Sequence, residues 1–195
     1  MRPALTIASL SRVAAPIALA MSLLSAPAVA QDGNGPGPAI ATQLPRTAVP
    51  SHYSIRVVPD AAKLSFTSEA TIDIAVTQAT RALTLNAAEL SFTSASIVGE
   101  GLKKPVAGTV SIDAKAQTAT VTFPQSLNPG KYRLSFAYSG VINTQANGLF
   151  ALDYKDGAGA DKRALFTQFE APDARRFVPS WDEPSYKATF DLSVI

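Results

Sequence analysis

Three stretches of the chain alternate apolar and polar residues with a period of two. Tyr53, Ile55 and Val57 alternate with Ser54 and Arg56; Ile72, Ile74 and Val76 alternate with Thr71, Asp73 and Ala75; Tyr132, Leu134, Phe136 and Tyr138 alternate with Arg133, Ser135, Ala137 and Ser139. Successive side chains of a strand point to opposite faces, so each stretch predicts a strand with one buried face. Further strand-like runs cover Ala82–Leu85, Leu90–Val98, Gly108–Asp113, Thr118–Phe123, Leu149–Tyr154, Arg163–Glu170 and Lys187–Ile195. Asn128-Pro129-Gly130 and Asp156-Gly157 supply turn chemistry between them. Strands recurring about every ten residues, with no long helical stripe, predict an all-β fold: an antiparallel multi-stranded sheet or sandwich. One short helical turn is expected at Asp173–Phe177, with Asp173 as its cap and Pro179 as its stop.

The ends of the chain read differently. Arg2 and Arg12 precede or open an apolar run from Val13 to Leu24, and Ala28-Val29-Ala30 follows. A run of about a dozen residues is too short to span a bilayer but fits a signal-peptide core before an A-x-A cleavage site, so residues 1–30 are expected to be removed on export. The protein is then periplasmic or secreted. Residues 31–48, rich in Gly, Pro, Asn and Ala, are expected to form a flexible leader. The ordered domain is expected to cover residues 49–195. Its last run, Lys187–Ile195, reads as a bare apolar strand, and exposed strand edges invite association. The sequence is therefore expected to be cut short at its C-terminal end.

Composition narrows the chemistry. A chain of 195 residues with 47% hydrophobic and 16% charged content can bury a single core. Removing residues 1–30 takes away Arg2 and Arg12 and no acid, so Lys+Arg falls from 17 by two and matches the 15 Asp+Glu. The mature net charge is zero, and the basic balance of the whole chain does not point to nucleic acid or an anionic membrane. Without cysteine, the chain has no disulfide, no thiol nucleophile and no thiolate ligand; with His52 as its single histidine, it has no His-rich zinc set. No catalytic and no metal-binding residue is assigned.

The densest chemical signal lies between Phe166 and Lys187. Gln168 and Glu170, two apart on a strand, project from one face, with Thr167 and Phe169 on the other. A carboxylate beside an amide suits a cationic amine: the first supplies charge, the second an oriented hydrogen bond. The alternatives are a solvated strand face, or Glu170 paired with Arg175 or Arg176.

Thr167-Gln168-Phe169-Glu170, then Asp173-Ala174-Arg175-Arg176, Pro179-Ser180-Trp181-Asp182-Glu183-Pro184 and Lys187-Ala188-Thr189-Phe190 together resemble the signature stretch of aminopeptidase N-type zinc metallopeptidases. Weaker likenesses extend over most of the mature chain: Pro50-Ser51-His52-Tyr53, Leu85-Asn86-Ala87-Ala88-Glu89-Leu90, Gly130-Lys131-Tyr132 and Asn147-Gly148-Leu149-Phe150. The resemblance implies the amino-terminal, saddle-like β-domain of such an enzyme. Glu170 would bind the free α-amino group of a peptide substrate at the rim facing the catalytic domain, and Gln168 would line the pocket for the first side chain. Arg175, Arg176, Asp182 and Glu183 would fix the turn after the anchor strand through ion pairs and caps, with Phe177 and Trp181 in the core or at a domain interface. Zinc would belong to the complete enzyme, because this sequence has no His-Glu-x-x-His and no Gly-x-Met-x-Asn motif. The expected partners are the N-terminus of a peptide and a catalytic domain missing from this chain. Val178-Pro179-Ser180 stands where many relatives have Phe-Pro-Cys. A stand-alone exported β-sandwich that binds peptide or protein by strand addition is the other reading, and a purely structural scaffold is a third.

Overall fold

The structure, a computed structural model, describes residues 44–195. The expected signal peptide (1–30) and leader residues 31–43 lie outside the described residues. Eleven strands follow in chain order: β1 Ala48–Asp60, β2 Ser65–Val76, β3 Thr80–Asn86, β4 Leu90–Gly99, β5 Val106–Ala107, β6 Thr109–Asp113, β7 Thr118–Leu127, β8 Gly130–Val141, β9 Gly148–Lys155, β10 Asp161–Gln168 and β11 Thr189–Val194. A single 3-10 turn, Ala174–Arg176, is the helical element among the described residues, and none of those residues forms a helix long and apolar enough to cross a membrane. The all-β expectation holds.

The strands form a six-stranded sheet in the order β11-β1-β2-β8-β4-β5, a three-stranded sheet β3-β7-β6 and a two-stranded sheet β9–β10. The alternation seen in the sequence explains why: Tyr53, Ile55 and Val57 of β1, Ile72 and Ile74 of β2, and Leu134 and Phe136 of β8 are all buried. Leu83, Leu85, Val121 and Phe123 of the three-stranded sheet join them in one core. Burial of apolar side chains from two sheets is the main source of stability in such a fold.

The expected run Gly108–Asp113 forms one strand, β6, which starts at Thr109 and is preceded by the separate short strand β5. Val106 and Ala107 pair with β4, whereas Thr109–Asp113 pair with β7, so the chain changes sheets at Gly108. A Cβ there would lie 2.4 Å from a Val121 side-chain atom, and only glycine fits so close an approach.

Two departures concern the ends. Antiparallel pairing was expected throughout, yet β11 runs parallel to β1, with His52 opposite Thr189 and Val57 opposite Val194. Among the described residues the other named strand pairs are antiparallel. β11 arrives from the loop 169–188 rather than from a hairpin, and a connection of that kind permits a parallel neighbour. The end of the expected leader is also packed. Leu44 is 5% exposed, its N–H donates to the Glu183 carboxylate, and Arg46 lies 3.9 Å from the same group. An apolar side chain next to Pro45 gains a core position because a residue far along the chain binds its backbone.

Candidate functional site

β10 delivers the candidate residues. It pairs with β9 from Asp161 opposite Lys155 to Gln168 opposite Gly148, so Gln168 is its last paired residue. Glu170 lies two residues later, in the turn that leaves the sheet rather than on the strand itself. The expected proximity survives the end of the strand: Gln168 Nε2 lies 3.5 Å from Glu170 Oε2. Both residues are exposed.

The segment after Glu170 is stitched to the rest of the fold. Asn86 and Ser180 exchange backbone hydrogen bonds of 2.8 and 3.0 Å, and Ala88 N–H donates to the Arg175 carbonyl at 2.9 Å. Tyr138 donates its hydroxyl to the Phe177 carbonyl at 3.0 Å, and Trp181 N–H donates to Tyr53 Oη at 3.2 Å. Phe177 and Trp181 are buried, in line with the expected core or interface position, and Val178 is buried with them. Asp173 does precede the 3-10 turn, but its carboxylate does not cap it. It accepts from Arg176 Nε at 2.8 Å instead.

The cations near Glu170 are engaged elsewhere. Arg175 Nε lies 2.9 Å from Asp182 Oδ2, and Arg175 Nη1 donates to Gln117 Oε1 at 3.3 Å. Arg176 joins Asp173 through Nε and Glu89 through Nη1. These two carboxylates, Glu89 first, raise the Arg176 guanidinium above its ordinary value. Among the described residues Glu170 has no ion-pair partner, so the alternative in which Arg175 or Arg176 neutralises it is not the arrangement seen. Asp173 as a partner of Arg176 had a local signal, the three-residue spacing of opposite charges. Glu89 had none: it is brought in by the β3–β4 connection, where its φ is +59°.

On the other side of this segment lies an apolar groove of about 470 Å³, bordered by Tyr53, Phe169, Phe177, Trp181, Tyr186 and Phe190. Phe169 and Ala171 line it, whereas Gln168 and Glu170 do not. The alternation along residues 168–171 thus separates an apolar side from the polar pair.

His52 sits on β1, next to the edge strand β11, where Nδ1 lies 2.7 Å from Thr189 Oγ1 and Nε2 lies 3.1 Å from Ser54 Oγ and 3.3 Å from Asp191 Oδ2. Among the described residues no three His, Cys, Asp or Glu side chains gather in a set able to hold a metal ion. With one histidine and no cysteine in the sequence, these residues do not fit a zinc centre, and no chemical step here runs through one.

Comparison with known proteins agrees with this architecture. The family model described as the peptidase M1 N-terminal domain matches residues 49–195. Aminopeptidase N of Acetobacter pasteurianus is 42% identical over 154 residues, which make up 79% of this chain and 42% of that protein. Puromycin-sensitive aminopeptidase of Caenorhabditis elegans is 36% identical over 152 residues, 78% of this chain and 16% of that protein. Aminopeptidase M1-D of Oryza sativa subsp. japonica is 38% identical over 152 residues, 78% of this chain and 17% of that protein. The chain spans less than half the length of these curated relatives. A β-sheet domain matched from Val49 to Ile195, with the polar pair at the end of β10, belongs to the peptidase M1 N-terminal domain family.

Proposed function

We propose that this domain holds the free amino terminus of a peptide for a zinc-dependent aminopeptidase. Glu170 receives the ammonium group, and the Gln168 amide faces the first side chain, whose pocket is completed by another part of the longer polypeptide. The observation that carries the reading is the exposed Glu170 carboxylate, beside the Gln168 amide at 3.5 Å and without an ion-pair partner among the described residues. A carboxylate without a cation partner, while Arg175 and Arg176 pair with other acids, offers charge to a guest. An α-amine titrates near 7.7–8.0 and is largely cationic at neutral pH. A fixed anion at the end of a cleft measures the chain from its amine and so selects the first peptide bond. Loss of one such charge-assisted contact costs about 1.5–3 kcal/mol.

In this reading the zinc and the general base come from another part of a longer polypeptide, and this chain alone does not cleave peptides. Residues 1–30 direct export, so the enzyme works in the periplasm or outside the cell.

The test is a titration of the 195-residue protein with a short peptide carrying either a free or an acetylated amino terminus. The free form binds more tightly by about tenfold, and Glu170→Gln removes the difference. The preference also fades as the pH rises past about 8 and the amine loses its proton. Equal binding of the two peptides by the unmodified protein overturns the reading.

A second reading, a peptide-binding module that works by strand addition, is favoured by one feature: β11 is an edge strand whose Phe190, Leu192 and Val194 are 59, 58 and 63% exposed. Acetylated and free peptides would then bind alike.

A further inference from the structure

Glu170 stands on a short span with two fixed ends. At one end Gln168 is paired with Gly148 of β9. At the other, Asp173 accepts from Arg176, both through its carboxylate at 2.8 Å and through its carbonyl, to which the Arg176 N–H donates at 3.1 Å. Arg176 touches both ends. Gly148 has φ +61°, and a Cβ placed on it would lie 2.9 Å from Arg176 Cβ. The stem of Arg176 therefore occupies the space over the residue that pairs with Gln168, while its guanidinium holds Asp173.

The third contact of Arg176 directs its charge to another acid. Its Nη1 is taken by Glu89 from the β3–β4 connection, so one guanidinium serves two carboxylates. A planar fork can point Nε at one acid and Nη1 at another, which a lysine ammonium on a flexible stem does not reproduce. The span between its fixed ends is also supported from the apolar side, where the Phe169 ring lies 5.3 Å from that of Phe177.

Resting on the amine-anchor reading above, we propose that Arg176 is the positioning residue of the Glu170 carboxylate: bridged between Glu89 and Asp173 and lying over Gly148, it sets the turn that presents Glu170 beside Gln168. Arg176 does not touch the guest. It fixes where the anion stands and, being paired with two other acids, leaves that anion without an ion-pair partner among the described residues.

The experiment uses chemical-shift titrations of the 195-residue protein with leucinamide and N-acetyl-leucinamide, which differ in the cationic amine. The readout is the ratio of the two affinities. The unmodified protein prefers the free amine by about tenfold, and Arg176→Met lowers the preference to about twofold. Arg176→Lys does not restore it, because the fork rather than the charge sets the turn. A role in stability alone would lower the melting temperature and leave the ratio unchanged, so an Arg176→Met or Arg176→Lys protein with the full preference overturns the inference. Should Arg176→Met fail to fold, Glu89→Gln decides: the inference expects a reduced ratio, and an unaltered ratio overturns it. Absence of any preference in the unmodified protein, or its survival in Glu170→Gln, overturns the anchor reading itself and this inference with it.

Discussion

The Tyr138 hydroxyl donates to the backbone carbonyl of Phe177 at 3.0 Å, across 39 residues of chain. Tyr138 lies in β8, near the middle of the six-stranded sheet, and Phe177 closes the 3-10 turn that follows Glu170. One buried hydrogen bond therefore ties the sheet to the segment that carries the candidate site. Tyr138→Phe removes the donor and leaves a buried carbonyl without its partner, at a cost of about 1–3 kcal/mol. The expected fall in melting temperature is roughly 2–4 °C for each kcal/mol. A calorimetric scan that shows no shift would mean that the carbonyl finds another donor.

Burial has a second consequence for the same tyrosine. It pushes the phenols of Tyr53 and Tyr138 well above the ordinary value of 10.0. The fold holds their neutral forms, so their contribution is present below the unfolded value and is lost as the pH rises through the folded one. In a spectrophotometric titration at about pH 11, the folded protein should show fewer ionised tyrosines than the same protein in denaturant, by at least the two deeply buried ones of the five in the sequence, since burial also raises Tyr132 and Tyr186. Full ionisation with native circular dichroism would contradict the burial of both rings.

The outer edge of β11 gives the third prediction. Phe190, Leu192 and Val194 are exposed on an edge strand, and unpaired N–H and C=O groups beside apolar side chains are a template for a second chain. The 195-residue protein should self-associate with rising concentration in analytical ultracentrifugation. Leu192→Lys, a charge on that edge, should shift it toward the monomer. A concentration-independent monomer in the unmodified protein would count against an adhesive edge.

Much of this was legible in the chain. The period-two pattern located β1, β2 and β8 because each has one face in a shared core, and burial enforces alternation. Asn128-Pro129-Gly130 marked the turn from β7 to β8, and Asp156 accepts N–H groups of Ala158 and Ala160 at 2.9 Å in the turn from β9 to β10. The adjacency of Gln168 and Glu170 was readable from their spacing, although the strand stops at Gln168. The parallel neighbour of β1, the change of sheet at Gly108 and the burial of Leu44 were not. Each depends on partners far along the chain, and alternation specifies which face is buried rather than which strand lies alongside. The same holds for Glu89: no local pattern links it to Arg176.

The pairing of β1 with β11 brings His52 beside Thr189, 137 positions apart. This edge of the sheet is thus zipped from opposite ends of the domain, and the entropy of closing so large a loop must be met before the contact rewards it. During synthesis β1 emerges early and waits, with one edge unpaired, until residues 189–194 follow. Assembly of this domain should accordingly be slow compared with its local hairpins, with the β1–β11 seam among the last parts to become protected from hydrogen exchange.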